Sequence, residues 1–425
     1  MNPSISNQFL PNPFPSIKTT TTATSTGDSG DEIPPPPPHQ PNFIHHKIPK
    51  TPSSSATAYH HPLSTITGHT DSVSCLALCG EFILSASHAK EIMVWQQPDL
   101  RLFAKFGHGR GSVKAVVTVG NKIFTAHQDS KIRVWRVSRI NHENNNIFKL
   151  VETLPTTKDY FGSFMNHNNY IQTRRHHRRL WIEHTDTISC LSVRNGFIYS
   201  GSWDRTVKIW RLSDYKCLES IKAHDDAVNA LTIADDGTVF SASADGKIKA
   251  WERQQQQQQQ GSLHFLKFIL EGHKDISINS VVVSGDVGGG TVVYGGGSDG
   301  YVMGWSWGEG LKKVVEVHAH KMAILCMCMK GEILCTRSTD QSIGVWKKEV
   351  KGLTKIGVML GHEGPIKCLH VSPSSIGGGF LVYSGSIDKS IKVWWVPRYS
   401  GRTKVEDFNS LVKVRKVVTT PTILF

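Results

Sequence analysis

The chain has 425 residues, with 48 Lys and Arg against 35 Asp and Glu, so its formal net charge is +13. Hydrophobic residues make up 39% and charged residues 20%, which fits a globular core and excludes a wholly solvated chain. No apolar run approaches the ~18 residues that cross a bilayer, and the start MNPSISNQFLPNPFP lacks the basic-then-apolar order of a secretory signal, so a soluble intracellular protein without membrane attachment is expected.

Residues 1–61 read as a disordered Ser/Thr/Pro-rich tail, with TTTTATST at 19–26, prolines from Pro34 to Pro38 and SSSATA at 53–58. Apolar residues there are too sparse to offset the entropy of ordering. The proline run favours an extended conformer that an SH3- or WW-like groove could read, and the plainer reading is a solvated tail.

From residue 62 the chain turns into short apolar segments punctuated by Gly, Ser and Asp. GHTDSVSCLAL at 68–78 returns as EHTDTISCLSV at 183–193, AHDDAVNALTI at 223–233, AHKMAILCMCM at 319–329 and GHEGPIKCLHV at 361–371. GHGRGSVKAVV at 107–117 and GHKDISINSVV at 272–282 complete seven openings. Each is followed by a segment of the type YSGSWDRTVKIW, and the seven units close on Trp95, Trp135, Trp210, Trp251, Trp305, Trp346 and Trp394.

A Gly-His or Ala-His opening, with an Asp six residues before a strand-ending Trp at ~40 to 45-residue spacing, resembles the WD40 family over about 62–397. The resemblance implies an all-β fold, a seven-bladed β-propeller, expected to be monomeric by itself, with a basic tail at 398–425. It also implies that a strand near 63–67 pairs into the last blade, and that the opening His, a Ser/Thr, the turn Asp and the Trp form a buried hydrogen-bond chain. The sets read this way are His108, Thr125, Asp129, Trp135; His184, Ser200, Asp204, Trp210; His224, Ser241, Asp245, Trp251; His320, Thr336, Asp340, Trp346; and His362, Ser384, Asp388, Trp394. The hydroxyl two residues after the chosen one is a rival assignment. The first repeat has Ala89 in place of the Asp and the fifth has Gly295 in place of the hydroxyl, so those blades are expected to be softer.

Nothing points to catalysis, a metal or a cofactor. The eight cysteines contain no C-x-x-C pair, and Cys75, Cys190, Cys326 and Cys368 share one repeat position held elsewhere by Ala115, Ala230 and Ser280. That is a packing slot for small residues. Gly296-Gly297-Ser298-Asp299-Gly300 spells a nucleophile motif but stands at a strand-to-strand turn rather than a strand-to-helix elbow.

Function is sought in the departures from the repeat. Trp135 and Trp210 lie 75 residues apart, against 41 between Trp210 and Trp251. With IFKLVETL at 147–154 as an outer strand, the excess is about 155–182, on the rim of the Asp turns; with RRLWIE at 178–183 as that strand, it lies on the opposite rim. The insertion carries Arg174, Arg175, Arg178 and Arg179, read as contacts for an acidic partner, as a nuclear address, or as a solvated basic loop. Trp203 is expected to project at the rim, and Arg337 stands where other repeats place Ala or Gly, so it needs a carboxylate or phosphate partner or an opening into the central channel; both are read, with the four arginines, as partner contacts on that rim. The run Gln254–Gln260 and the stretch 285–297 read as loop expansions without fixed structure.

Residues 154–193 and 199–231 further resemble a plant group within the family. That resemblance implies a non-enzymatic regulatory scaffold of cytoplasm and nucleus that restrains pollen germination and tube growth through a transcription-factor partner. A substrate receptor of a cullin-type ubiquitin ligase is the competing reading, weakened because only Trp251-Glu252 begins the required box and Gln254 stands where Arg or Lys is needed. Direct nucleic-acid binding is a third and unfavoured reading, since no aromatic platform accompanies the basic loop.

Overall fold

Within each repeat, β-branched and aromatic residues alternate with small and polar ones, and Gly, Asn and Asp close the turns, so the repeat folds as an antiparallel meander. The computed structural model describes residues 57–59 and 62–397, apart from 108–110, 139–147, 165–168, 175–176, 255–262, 286–290, 308–309, 351 and 374–378. The meanders form seven antiparallel four-stranded blades. Their innermost strands are Val73–Cys79, Val113–Val119, Ile188–Arg194, Val228–Ile233, Ile278–Val283, Ile324–Lys330 and Ile366–Pro373. Each touches the next, and the seventh returns to the first, so the ring is closed.

The seventh blade takes its outer strand from the start of the ring: Ser64–Ile66 pairs antiparallel with Ile391–Val396. Closure of this kind leaves no inner sheet edge exposed. Within the tail expected to lack fixed structure, Thr57–Tyr59 forms a short strand parallel to the outer strand Gly352–Met359 of the sixth blade. The remainder of 1–61, the run 255–260 and the tail 398–425 lie outside the described residues.

The core sits between blades rather than within them. Trp135 of blade 2 packs with Leu84, Val94 and Ile123 across the first seam, and Trp95 of blade 1 with Tyr383 and Ile391 of blade 7. Trp210 and Trp394, 1% and 2% exposed, are likewise surrounded by apolar side chains of two adjoining blades. Burying an aromatic side chain of this size contributes about 2–3 kcal/mol.

One stretch expected to be irregular is regular. Val292–Gly297 is a fully buried second strand. A Cβ on Gly295 would stand 2.8 Å from Ile248 Cδ1, and one on Gly296 2.7 Å from Ile324 Cγ2. These glycines are there because the neighbouring blades leave no room for a side chain.

Candidate protein-interaction surface

The turn face of the ring carries the turns between the second and third strands and the loops that lead into each innermost strand. Its rigidity comes from the hydrogen-bond sets. In blade 3, His184 Nδ1 lies 2.9 Å from Asp204 Oδ2 and Nε2 2.8 Å from Ser200 Oγ, while Trp210 Nε1 donates to Ser200 Oγ at 3.0 Å. The same chain joins His224, Asp245, Ser241 and Trp251. It joins His320, Asp340, Thr336 and Trp346, and again His362, Asp388, Ser384 and Trp394. A carboxylate only accepts, so Nδ1 carries the proton, and Nε2 accepts from the hydroxyl that the indole N–H faces.

Burial pushes the His184, His320 and His362 pKa values down, against the opposing pull of their aspartates. Burial alone would raise Asp204, yet the His184 ring and the hydrogen bonds from Thr206 and the Thr185 amide hold it well below the usual carboxylate range. The second hydroxyl of the repeat acts elsewhere, since Ser202, Ser243, Ser338 and Ser386 each accept from the amide of the turn Asp.

Blade 2 is described for only part of its expected set. His108 lies outside the described residues, and the partner of Thr125 Oγ1 is His127 Nε2 at 2.8 Å, with Trp135 Nε1 donating to the same oxygen at 3.0 Å. Asp129 instead takes the guanidinium of Arg133, whose Nη1 lies 3.2 Å from Oδ1. His127 occupies the slot of the second hydroxyl in this blade and stands beside Thr125.

The two blades with gaps carry visible consequences. In blade 1, His69 Nε2 meets Ser85 Oγ at 2.7 Å, but Nδ1 is buried with no partner because Ala89 offers none. Burial, then the charge of Lys105, pushes His69 down to about 4. In blade 5, Gly295 supplies no hydroxyl, and the His273 ring bonds Asp299 and Glu316 in a far more open position.

The insertion begins after Phe148–Leu154, which pairs with the third strand Ile132–Val137 as the outer strand of blade 2. A helix, Thr157–Phe164, follows, then a hairpin of Tyr170–Arg174 and His177–Leu180. Thr156 caps the helix, its Oγ1 accepting from the Asp159 amide at 3.1 Å. Tyr160 fastens the helix to the turn face by donating to Glu183 Oε1 at 2.5 Å and accepting from Lys131 Nζ. Arg178 and Arg179 stand in the second hairpin strand, and Arg179 Nη1 reaches the His184 carbonyl at 3.5 Å. Arg174 stands in the first hairpin strand; its side chain and the whole of Arg175 lie outside the described residues.

Trp203 is 45% exposed on the blade 3 turn, its amide held by the Thr187 carbonyl at 3.0 Å. Ile387, at the same repeat position in blade 7, and Met322 are exposed on this face too. Arg337 is not on the rim. It is 5% exposed in the seam between blades 6 and 7, with Cys326 and Cys368 as its electrostatic neighbours and with Nε and Nη1 lacking hydrogen-bond partners. The small-residue slot faces the next blade, so a long side chain placed there is driven inward.

Sequence reasoning missed a third group. His88, Lys114 and Lys367 converge on the turn face, with Lys367 Nζ donating to His88 Nε2 at 3.4 Å. The signal was present: lysines stand where other repeats have Ser74, Ser189, Asn229 and Asn279. No group of three metal-ligating side chains occurs among the described residues, and none of their helices is long and apolar enough to cross a membrane. All eight cysteines are free, and burial pushes Cys75 and Cys190 up to about 12, far from a reactive thiolate.

Seven blades, each closed by a buried Trp and four of them tied by the full His, hydroxyl, Asp and Trp chain, define a repeat propeller. The family model for the WD domain, G-beta repeat, matches residues 60–96, 176–211, 215–252 and 353–394. These four stretches carry the WD40 repeat, and WD40 propellers are typically non-catalytic scaffolds that bind other proteins. Relatives include an uncharacterized WD repeat-containing protein of Schizosaccharomyces pombe, 26% identical over 45% of this chain and 46% of that protein. The kinesin-like protein KIF21B of Mus musculus is 24% identical over 50% of this chain and 11% of its own length. The small ribosomal subunit protein RACK1y of Oryza sativa subsp. japonica is 35% identical over 16% of this chain and 22% of its own. The chain thus spans less than half the length of each of these relatives.

Proposed function

We propose that this propeller is a protein-interaction scaffold whose turn face, around Trp203 and the insertion hairpin, receives a partner with apolar and acidic groups. The carrying observation is a large aromatic side chain, half exposed, on a backbone pinned by hydrogen bonds on both sides of it. A pre-ordered tryptophan gives up little entropy on binding, which is why such residues dominate interface energies. Arg178 and Arg179 of the hairpin supply the positive flank.

Residues 154–193 and 199–231 resemble the plant WD40 protein JINGUBANG. On that resemblance we read the chain as a plant regulator of cytoplasm and nucleus that restrains pollen germination and tube growth through a transcription-factor partner. Quantitative co-purification from native extract tests the reading, comparing the intact chain with Trp203→Ala and with Arg178→Ala/Arg179→Ala. A regulator lost from both variants, at unchanged melting temperature, is the expected result. An unchanged partner list moves the working surface elsewhere and overturns it.

A further inference from the structure

All seven innermost strands carry a β-bulge at the same place, as between Val73 and Cys75 or between Ile366 and Cys368. The residue each bulge skips is freed from the ladder and re-aimed. In four blades it is a short polar residue that bonds the next innermost strand. Ser74 Oγ donates to the Val113 carbonyl at 2.8 Å, Ser189 Oγ to that of Val228, Asn229 Nδ2 to that of Ile278 at 3.1 Å and Asn279 Nδ2 to that of Ile324 at 2.9 Å. In blades 2 and 7 the skipped residues are Lys114 and Lys367.

These lysines flank blade 1, whose own skipped residue is the small Ser74. His88, on the blade 1 turn, lies against Lys367 at 3.4 Å and within the field of Lys114. Burial, followed by the charge of Lys367, lowers the Lys114 pKa; burial, then Lys367 and Lys114, lowers that of His88. The carboxylate acting on His88 is Asp71, whose Oδ1 already accepts from the Ser72 amide at 2.6 Å. Where other turns hold an Asp, this one has Ala89. Next to Lys367, Cys368 faces the buried Arg337, so a further cation stands in the adjoining seam with two nitrogens unpaired. Two ammonium groups and an imidazole from three blades thus stand together with Asp71, already engaged by the Ser72 amide, as the carboxylate acting on the imidazole, an arrangement that an arriving anion completes.

We propose that Lys114, Lys367 and His88 form an anion site on the turn face, and that its ligand is the phosphate monoester of a phosphorylated partner side chain. The assignment rests on reading the turn face as the partner surface. A phosphate dianion neutralises both ammonium groups and offers acceptor oxygens to each, whereas one carboxylate would leave an ammonium unmatched.

Thermal melting of the full chain tests the site without any partner. Inorganic phosphate should raise the melting temperature by about 2 °C or more over chloride of equal ionic strength, by mass action on the folded state. The variant Lys114→Ser/Lys367→Asn, which installs residues that other blades carry at this position, should fold and lose that shift. A fluorescent pentapeptide, Ala-Ala-phosphoserine-Ala-Ala, should bind the intact chain at least tenfold more tightly than the double variant, and its unphosphorylated form should not bind. Equal responses of variant and intact chain, or none from either, overturn the site. A shift with inorganic phosphate but no binding of the phosphopeptide overturns the assignment to a partner's side chain. Because Trp203→Ala leaves these groups in place, its phosphate response stays intact even where partner capture fails, which separates this inference from the scaffold reading.

Discussion

Single side chains decide how stiff each blade is. Ser200 both accepts from Trp210 Nε1 and faces His184 Nε2, so Ser200→Ala strands two buried groups and should cost about 1–3 kcal/mol in urea unfolding. Blade 1 offers the reverse experiment. Ala89→Asp places an acceptor within the turn where His69 Nδ1 has none, and should raise stability by about 1 kcal/mol while weakening the phosphate response. The histidines also set a pH dependence. Those of blades 1, 3, 6 and 7 have folded pKa values below the unfolded value of about 6.5. Below that value the unfolded chain binds protons that the folded chain refuses. Their contribution is therefore fully present above pH 6.5 and is lost as pH falls below it, for His69 down to about 4. Melting temperature should be level above pH 7 and drop through this window, and His69→Gln should flatten the slope by up to about 1.4 kcal/mol per pH unit. At this scale the letters His, Asp and Trp were legible because they recur. His127 was not, since its contact with Thr125 depends on distance rather than on spacing.

At the scale of elements, the strands were readable from alternation and turns, and the closing tryptophans marked the repeats. What escaped was anything set by the neighbouring blade. Val292–Gly297 looks like a flexible glycine run, yet its glycines mark where Ile248 and Ile324 leave no space. Arg337 reads as a rim residue in sequence because the small slot it fills gives no sign of facing inward. The insertion helix is fastened to the turn face by Tyr160 through Glu183 and Lys131, so Tyr160→Phe should free the helix from that face. Amide exchange over 157–164 should speed up by about tenfold while the global melting temperature stays within about 2 °C, since a surface hydrogen bond is worth about 1 kcal/mol.

For the whole molecule, repetition made the architecture legible: seven like units cannot bury their faces alone, and closing the ring covers all of them. The ring is shut by Ser64–Ile66 in the last blade, so it depends on three residues far in sequence from the strand they join. The features proposed to read a partner were less legible because they lie in departures from the repeat, and a departure shows its direction only in three dimensions. Trp203 stands on the exposed surface, while Arg337 lies inside and the lysine pair appears only once blades 7, 1 and 2 are set side by side. The central claim is that the turn face is where a partner docks. A photo-crosslinking residue placed at position 203 tests it most directly, with the same residue at exposed position 149 on an outer strand as the comparison. The account predicts a discrete protein adduct from 203 in native extract and none from 149; an adduct from 149 alone would contradict it.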